Sequence, residues 1–269
     1  MAASATADFI GHIEDGIAWA TLNRPDALNA FSFQMRDELI LFLQRVEADS
    51  SVRCVVLRGA GGNFMAGGDV KAFTSQISLP DDERRALFES MCHAMHPIIY
   101  LMRRLQKPVL ASVAGACAGL GMSLVLASDL AIAADNAVFT LAYVKIGTTP
   151  DGGASFFLPR TVGLKRAMEI ALLSDRITAE VAERHGIINR VVPQERLAEE
   201  TLALARRLAD GATQAIARTK ALLSSALSHD LEAHLQLEGI NFAACTVTAD
   251  MVEGVNAFVQ KRRPKFNNQ

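Results

Sequence analysis

The chain has 269 residues, half of them apolar and 21% charged, which excludes an intrinsically disordered protein because that much apolar side chain offsets the entropy of ordering. Lys and Arg total 27 against 29 Asp and Glu, a formal net charge of −2, so there is no general electrostatic footprint for nucleic acid. At roughly 100–200 residues per domain the length suits one large domain or two small ones, big enough to need no disulfide or metal staple.

The start, MAASATADFIGHIEDG, has no basic n-region and no apolar h-region, and the first Arg is Arg24, so no secretory or transit signal is expected. Phe9 to Ile13 and Ile17 to Leu22 read as two strands joined at Glu14-Asp15-Gly16, since Asp-Gly between apolar alternation signals a hairpin. Ser32 suits the cap of a helix in which Leu39, Phe42, Leu43 and Val46 recur at helical spacing. Cys54 to Leu57 is an uninterrupted apolar run, as expected of a parallel strand covered on both faces. A glycine-rich loop follows it, from Gly59 to Gly68.

A helix is expected from about Asp82 to Leu105, then a second buried strand from Val109 to Val113, again leading into glycines. Pro108 to Ser128 holds no charged residue over a length close to the roughly 20 residues of a bilayer span. Gly115, Gly119 and Gly121 favour a strand, a turn and a buried helix instead, so no membrane is expected. Asp129 to Ala133 and Val138 to Thr140 read as short strands, and Leu164, Ala167, Met168 and Ala171 share one helical face. The last third reads as helical throughout. The four cysteines, Cys54, Cys92, Cys117 and Cys245, form no CxxC pair, which suits a reducing cytosol and signals neither disulfides nor zinc.

The loops GAGGNFMAGGDV (59–70) and GACAGLGMSL (115–124) each follow a buried strand at its carboxyl end, where open α/β sheets bind ligands. Neither matches GxxxxGK[ST], and the second lacks the third glycine of GxGxxG, so nucleotide binding is weakly supported. The plain alternative is close helix-on-strand packing through small residues. If their N–H groups converge on one oxygen, the loops form an oxyanion hole, which points to thioester or acyl chemistry.

Four segments now carry a resemblance that covers nearly the whole chain: LNRPDALNAFS (22–32), GGNFMAGGDVKAF (61–73), KPVLASVAGACAGLGMSL (107–124) and VKIGTTPDGGA (144–154). In their order and spacing the chain resembles the crotonases, the enoyl-CoA hydratase/isomerase superfamily. The resemblance implies an α/β crotonase spiral of β-β-α turns over residues 1–190. It also implies a C-terminal helical region over 191–269 that acts as lid or trimerisation surface. An acyl-CoA substrate, homotrimers or dimers of trimers, and no cofactor beyond the coenzyme A of the substrate follow from it. Carried over by position, the oxyanion donors are the main-chain N–H groups of Gly68 and Leu120. Ala27, Ala66, Gly67, Asp69 and Val70 would line the coenzyme path, Asp69 being open to a second reading as the cap of the next helix.

Hydratases of this family hold water between two glutamates. The matching positions here are Ser123 and Tyr143, neither of which is a general base near pH 7. The remaining carboxylate is Asp151, in Thr149-Pro150-Asp151-Gly152-Gly153. By its neighbours alone Asp151 reads as a helix cap worth about 1 kcal/mol. The resemblance reverses that reading, because the crotonase relatives that isomerise epoxyphenylacetyl-CoA or enoyl-CoA place their acting aspartate in this turn. An isomerase needs one base to take a proton from one carbon and return it to another while the hole holds the enolate.

His93 and His96 stand at i, i+3 without a third ligand at suitable spacing, so no metal is expected. His96 matches a histidine of the family's aryl-CoA dehalogenases, a minor alternative to isomerisation, as is a silent CoA-binding paralogue. Lys261, Arg262, Arg263 and Lys265 form a basic tail that reads plainly as solvated, while the resemblance sets Phe258 and Lys261 against the nucleotide end of coenzyme A. The expectation is a cytoplasmic acyl-CoA isomerase, with hydration by Asp151 as the competing reaction.

Overall fold

The computed structural model describes residues 7–266. Asp15 and Gly16 take φ of +50° and +75°, the paired left-handed corner that a tight hairpin requires, and fold β1 (Phe9–Glu14) back on β2 (Ile17–Leu22). After Asn23, Ser32 caps α1 (Phe33–Ala48), its hydroxyl accepting from the Met35 N–H at 3.1 Å, and Leu39, Phe42, Leu43 and Val46 are all buried as their spacing predicts. Then come β3 (Cys54–Gly59), α2 (Val70–Phe73), α3 (Asp81–Arg104), β4 (Val109–Val113), β5 (Ala116–Ala118) and α4 (Leu120–Ala127). The chain continues through β6 (Leu130–Ala134), β7 (Val138–Thr140), α5 (Ala154–Val162), α6 (Leu164–Leu173), β8 (Ile177–Thr178), α7 (Ala179–Arg184) and β9 (Arg190–Val192). It ends with α8 (Leu197–Ala209), α9 (Thr213–Ser225), α10 (Leu231–Thr246) and α11 (Ala249–Val259).

Six strands form one sheet in the order β1-β2-β3-β4-β6-β9, antiparallel only at the first pair. The apolar run of β3 is explained by cover on both faces: Val55 and Leu57 pack into the larger core with α1 and α3, and Cys54 and Val56 into a second core with Ala205 and Ala209 of α8. Because β3 and β4 are parallel, the glycine loops that follow them leave the sheet at the same edge.

Three features differ from the sequence expectation. Residues 115–124 are not one loop: β5 lies within them and pairs with β7, and β7 with β8, in a second, three-stranded sheet. Three-residue strands are too short to show a period. On α6, Ala167 and Ile170 are buried, while Leu164 and Met168 of the expected stripe are 63% and 49% exposed, because the helix packs through the row one step round. The boundary expected after residue 190 falls inside β9, and α8 belongs to the core of the sheet.

A buried ion pair fastens α9 to the core. Lys220 Nζ lies 2.7 Å from Asp129 Oδ2 and donates to the carbonyls of Met102 and Lys107. At the opposite end of β3 from the glycine loop, Arg53 donates to the carbonyls of Gly211 and Phe266, so the tail is fastened there at Phe266.

Candidate active site

Backbone bonds zip the two glycine loops together. Met65 N–H donates to the Ala116 carbonyl at 3.0 Å, and Ala118 N–H returns to the Met65 carbonyl at 2.8 Å. Beyond this bridge glycines let the loops approach closely: a Cβ on Gly119 (φ +51°) would lie 3.5 Å from Gly67 Cα, and one on Gly67 (φ +96°) 3.3 Å from the Ala118 carbonyl oxygen and 3.7 Å from Gly119 Cα. The next residue of each loop is a proposed donor, so Gly68 and Leu120 flank the seam. Leu120 opens α4, so its N–H has no acceptor inside the helix. Among the described residues neither N–H donates to a backbone carbonyl. Two neighbouring free N–H groups, one at a helix N-terminus, suit an oxygen that gains negative charge during reaction.

Asp151 stands beside this seam. Gly152, at φ +59°, packs so closely on α4 that a Cβ would lie 2.8 Å from Leu120 Cδ1 and 2.9 Å from Ser123 Cβ. The cap reading of Asp151 is overturned: α5 begins at Ala154 behind Gly153, with no side-chain cap. The carboxylate instead accepts a 2.5 Å hydrogen bond on Oδ1 from the Tyr143 hydroxyl. Ser123 Oγ lies 3.1 Å from that hydroxyl and donates to the Asp151 carbonyl at 3.0 Å. Ser123 and Tyr143 are thus brought to the one remaining carboxylate.

Burial pushes the Asp151 carboxyl above the ordinary carboxylate range, against the opposing pull of the Tyr143 hydrogen bond and the charge of His96. Burial also pushes the Tyr143 phenol upward, and the neighbouring Asp151 charge adds to it, so the phenol keeps its proton. His96 is on α3, half-buried, with Tyr100 edge-on at 6.2 Å. Cys92, one turn earlier, is raised by burial and by Asp151. The sequence reading missed Cys92, although its i, i+4 spacing from His96 puts both on one helix face. His93 and His96 lie 5.4 Å apart, and among the described residues no group of three or more His, Cys, Asp or Glu is placed to hold a metal.

The coenzyme path is assembled in part. Ala27 ends a 3-10 turn, and the following Leu28 carbonyl accepts from Ala66 N–H at 3.0 Å. Buried Asn29 donates to the carbonyls of Ala60 and Asn63, which locks this turn to the first glycine loop. Asp69 does cap α2, accepting from Ala72 N–H, and pairs with Arg24 at 3.0 Å; burial opposes its ionisation, yet these bonds hold its carboxyl below the usual range. Val70 opens α2 and is exposed. Phe73 of the same helix, also missed as a site residue, lies over Gly68: a Cβ there would sit 3.3 Å from its Cζ, and its ring meets Phe88 edge-on at 5.1 Å. Phe258 and Lys261 are not brought to this site within one chain. They stand exposed at the end of α11, in the segment leading to the tail bound by Arg53.

Residues 12–269 match the enoyl-CoA hydratase/isomerase family. This chain is a member of that family. Among relatives of this hydratase/isomerase, the 1,2-epoxyphenylacetyl-CoA isomerase of Escherichia coli (strain K12) is 38% identical over 97% of this chain and 98% of its own. A probable enoyl-CoA hydratase of Rhodobacter capsulatus is 37% identical over 96% of each. The crystal structure of an enoyl-CoA hydratase from Polaromonas sp. JS666 superposes with a TM-score of 0.90 at 31% identity, over 96% of this chain and 99% of that one. The architecture is therefore the crotonase fold of the hydratase/isomerase family.

Proposed function

We propose that this hydratase/isomerase family member isomerises an enoyl-CoA, or a ring-epoxide acyl-CoA, through a thioester enolate. In the enoyl case the Asp151 carboxylate takes a proton from the carbon next to the thioester carbonyl. The electron pair released moves onto the carbonyl oxygen, where the N–H groups of Gly68 and Leu120 hold the charge. Asp151 then returns the proton to the far carbon of the allylic system, the carbonyl reforms, and the double bond has moved. No cofactor is consumed. The observation that carries this reading is the partly buried Asp151 carboxylate, held by Tyr143 beside the first turn of α4. Its raised affinity for protons suits a group that must both take and return one.

The hydratase name of the Rhodobacter relative favours a second reading, in which Asp151 activates water alone. Following 3-enoyl-CoA isomerisation and 2-enoyl-CoA hydration side by side separates the two. Isomerisation that dominates in the wild type and is lost in Asp151→Asn fits the first; efficient hydration that survives Asp151→Asn excludes both. We propose further that the chain works in the cytoplasm as a homotrimer or a dimer of trimers. In that assembly Phe258 and Lys261 reach the nucleotide end of a neighbouring subunit's coenzyme A. The support is α10, none of whose residues is buried and which exposes Leu231, Leu235, Ile240 and Phe242.

A further inference from the structure

We infer that Tyr143 is a positioning residue that gives the two oxygens of Asp151 different tasks: its hydroxyl holds Oδ1 in place, and Oδ2 is left to carry the proton. The inference rests on the isomerase reading and adds to it the means by which a single carboxylate is aimed.

Proton accounting fixes the direction of the network. A phenol and a serine hydroxyl each donate once. The Tyr143 proton goes to a carboxylate oxygen that can only accept, so the phenol oxygen is free to accept from Ser123. The Ser123 hydroxyl has three acceptors within reach: the Tyr143 oxygen at 3.1 Å, the Asp151 carbonyl at 3.0 Å and the Gly119 carbonyl at 3.4 Å. The Tyr143 proton therefore points to Asp151, and the Ser123 hydroxyl is left to donate to one of its own acceptors. The phenol is held on its other side as well, since a Cβ on Gly119 would lie 3.9 Å from Tyr143 Cζ. The ring thus rests against the residue that precedes the Leu120 donor, and a single wall sets both the hole and the base.

An aspartate on a turn of left-handed glycines has two free side-chain torsions, and a carboxylate free to rotate would present either oxygen to the substrate. The Tyr143 bond removes that choice. The titratable neighbours on α3 that act on Asp151 or feel its charge are His96 and Cys92; from α4, Leu120 and Ser123 pack against the adjoining Gly152. Tyr143 donates its hydroxyl hydrogen directly to the carboxylate, and its removal should strip away the largest of the influences that favour the ionised form, the others being the charge of His96 and the Asp151 main chain.

The test is Tyr143→Phe, which keeps the ring and deletes the hydroxyl, read by carbon-13 NMR of protein labelled at the aspartate carboxyls. The Asp151 signal is the one absent from Asp151→Asn. The expected result is an Asp151 titration midpoint about one pH unit higher in Tyr143→Phe. The acid limb of kcat/KM should move with it, and kcat should fall at least about tenfold with KM changed less than about twofold. Ser123→Ala, which leaves the Tyr143 bond standing, should move the midpoint the same way by a smaller step. An unmoved midpoint in folded Tyr143→Phe overturns the inference, as does a normal kcat. Should Asp151→Asn retain full turnover, the isomerase reading falls, whereas the carboxyl titration still reports whether Tyr143 holds Oδ1.

Discussion

In the proposed mechanism Asp151 carries the chemistry, and its burial costs stability. Its carboxyl is pushed upward in the folded protein, first by burial, so folding favours the protonated form. The native state therefore binds more protons than the unfolded chain, and stability falls as pH rises from the unfolded value of about 3.9 through the native one. Asp151→Asn removes that penalty. By thermal melting the variant should be more stable than the wild type at pH 7–8, with the gain shrinking to nothing as the pH falls below the ordinary carboxylate range. An equal melting temperature at every pH would contradict the burial argument. At this scale the sequence read well where the family pattern was local: Asp151, Ser123 and Tyr143 were all named from motif positions. Their mutual bonding was not legible, because Tyr143 and Asp151 are joined across a turn whose path depends on two left-handed glycines, Gly147 and Gly152. Asp69 was open between ligand contact and cap, and in the structure it caps α2.

The elements that matter most are the two glycine loops, and their separation is set by residues with no side chain. Gly121 is one tight case, since a Cβ would lie 2.5 Å from the Met65 carbonyl oxygen, a backbone atom that cannot swing aside. Gly121→Ala should force the first turn of α4 away from the first loop. The expected loss is about 1–3 kcal/mol in denaturant unfolding, and kcat/KM should fall by about a hundredfold because the donors shift relative to the base. Unchanged kcat/KM in a folded Gly121→Ala would mean that the spacing of the loops does not govern the site. The hairpin, α1, α3 and the buried strands were legible because each has a period or a cap of its own. The small second sheet was not, because β5, β7 and β8 hold three, three and two residues and are defined by long-range pairing rather than by a period of their own. Leu164 and Met168 misled in the other direction, since an apolar row says that something covers it without saying what.

The whole molecule leaves much of its C-terminal helical surface uncovered. Ile240, Phe242, Val252, Val255, Phe258 and Val259 are all exposed on α10 and α11, the kind of apolar surface that an assembly would cover. Light scattering should give a mass three or six times the 29.0 kDa of one chain, and Ile240→Glu with Phe242→Glu should lower it. A wild-type mass of one chain would contradict the assembly. The same scale explains why Phe258 and Lys261 stay apart from the site: the tail is tied by Arg53 to the end of the sheet remote from the glycine loops. The sequence could place these residues near the end of the chain, but in the proposed assembly which chain they serve is decided between subunits.

The most direct measurement is hydrogen exchange at carbon. An acyl-CoA incubated with the protein in heavy water is followed by proton NMR at the carbon next to the thioester. The account predicts exchange with the wild type and none above background with Asp151→Asn. Exchange by Asp151→Asn at the wild-type rate would contradict it, since the proton would then be moving through some other group.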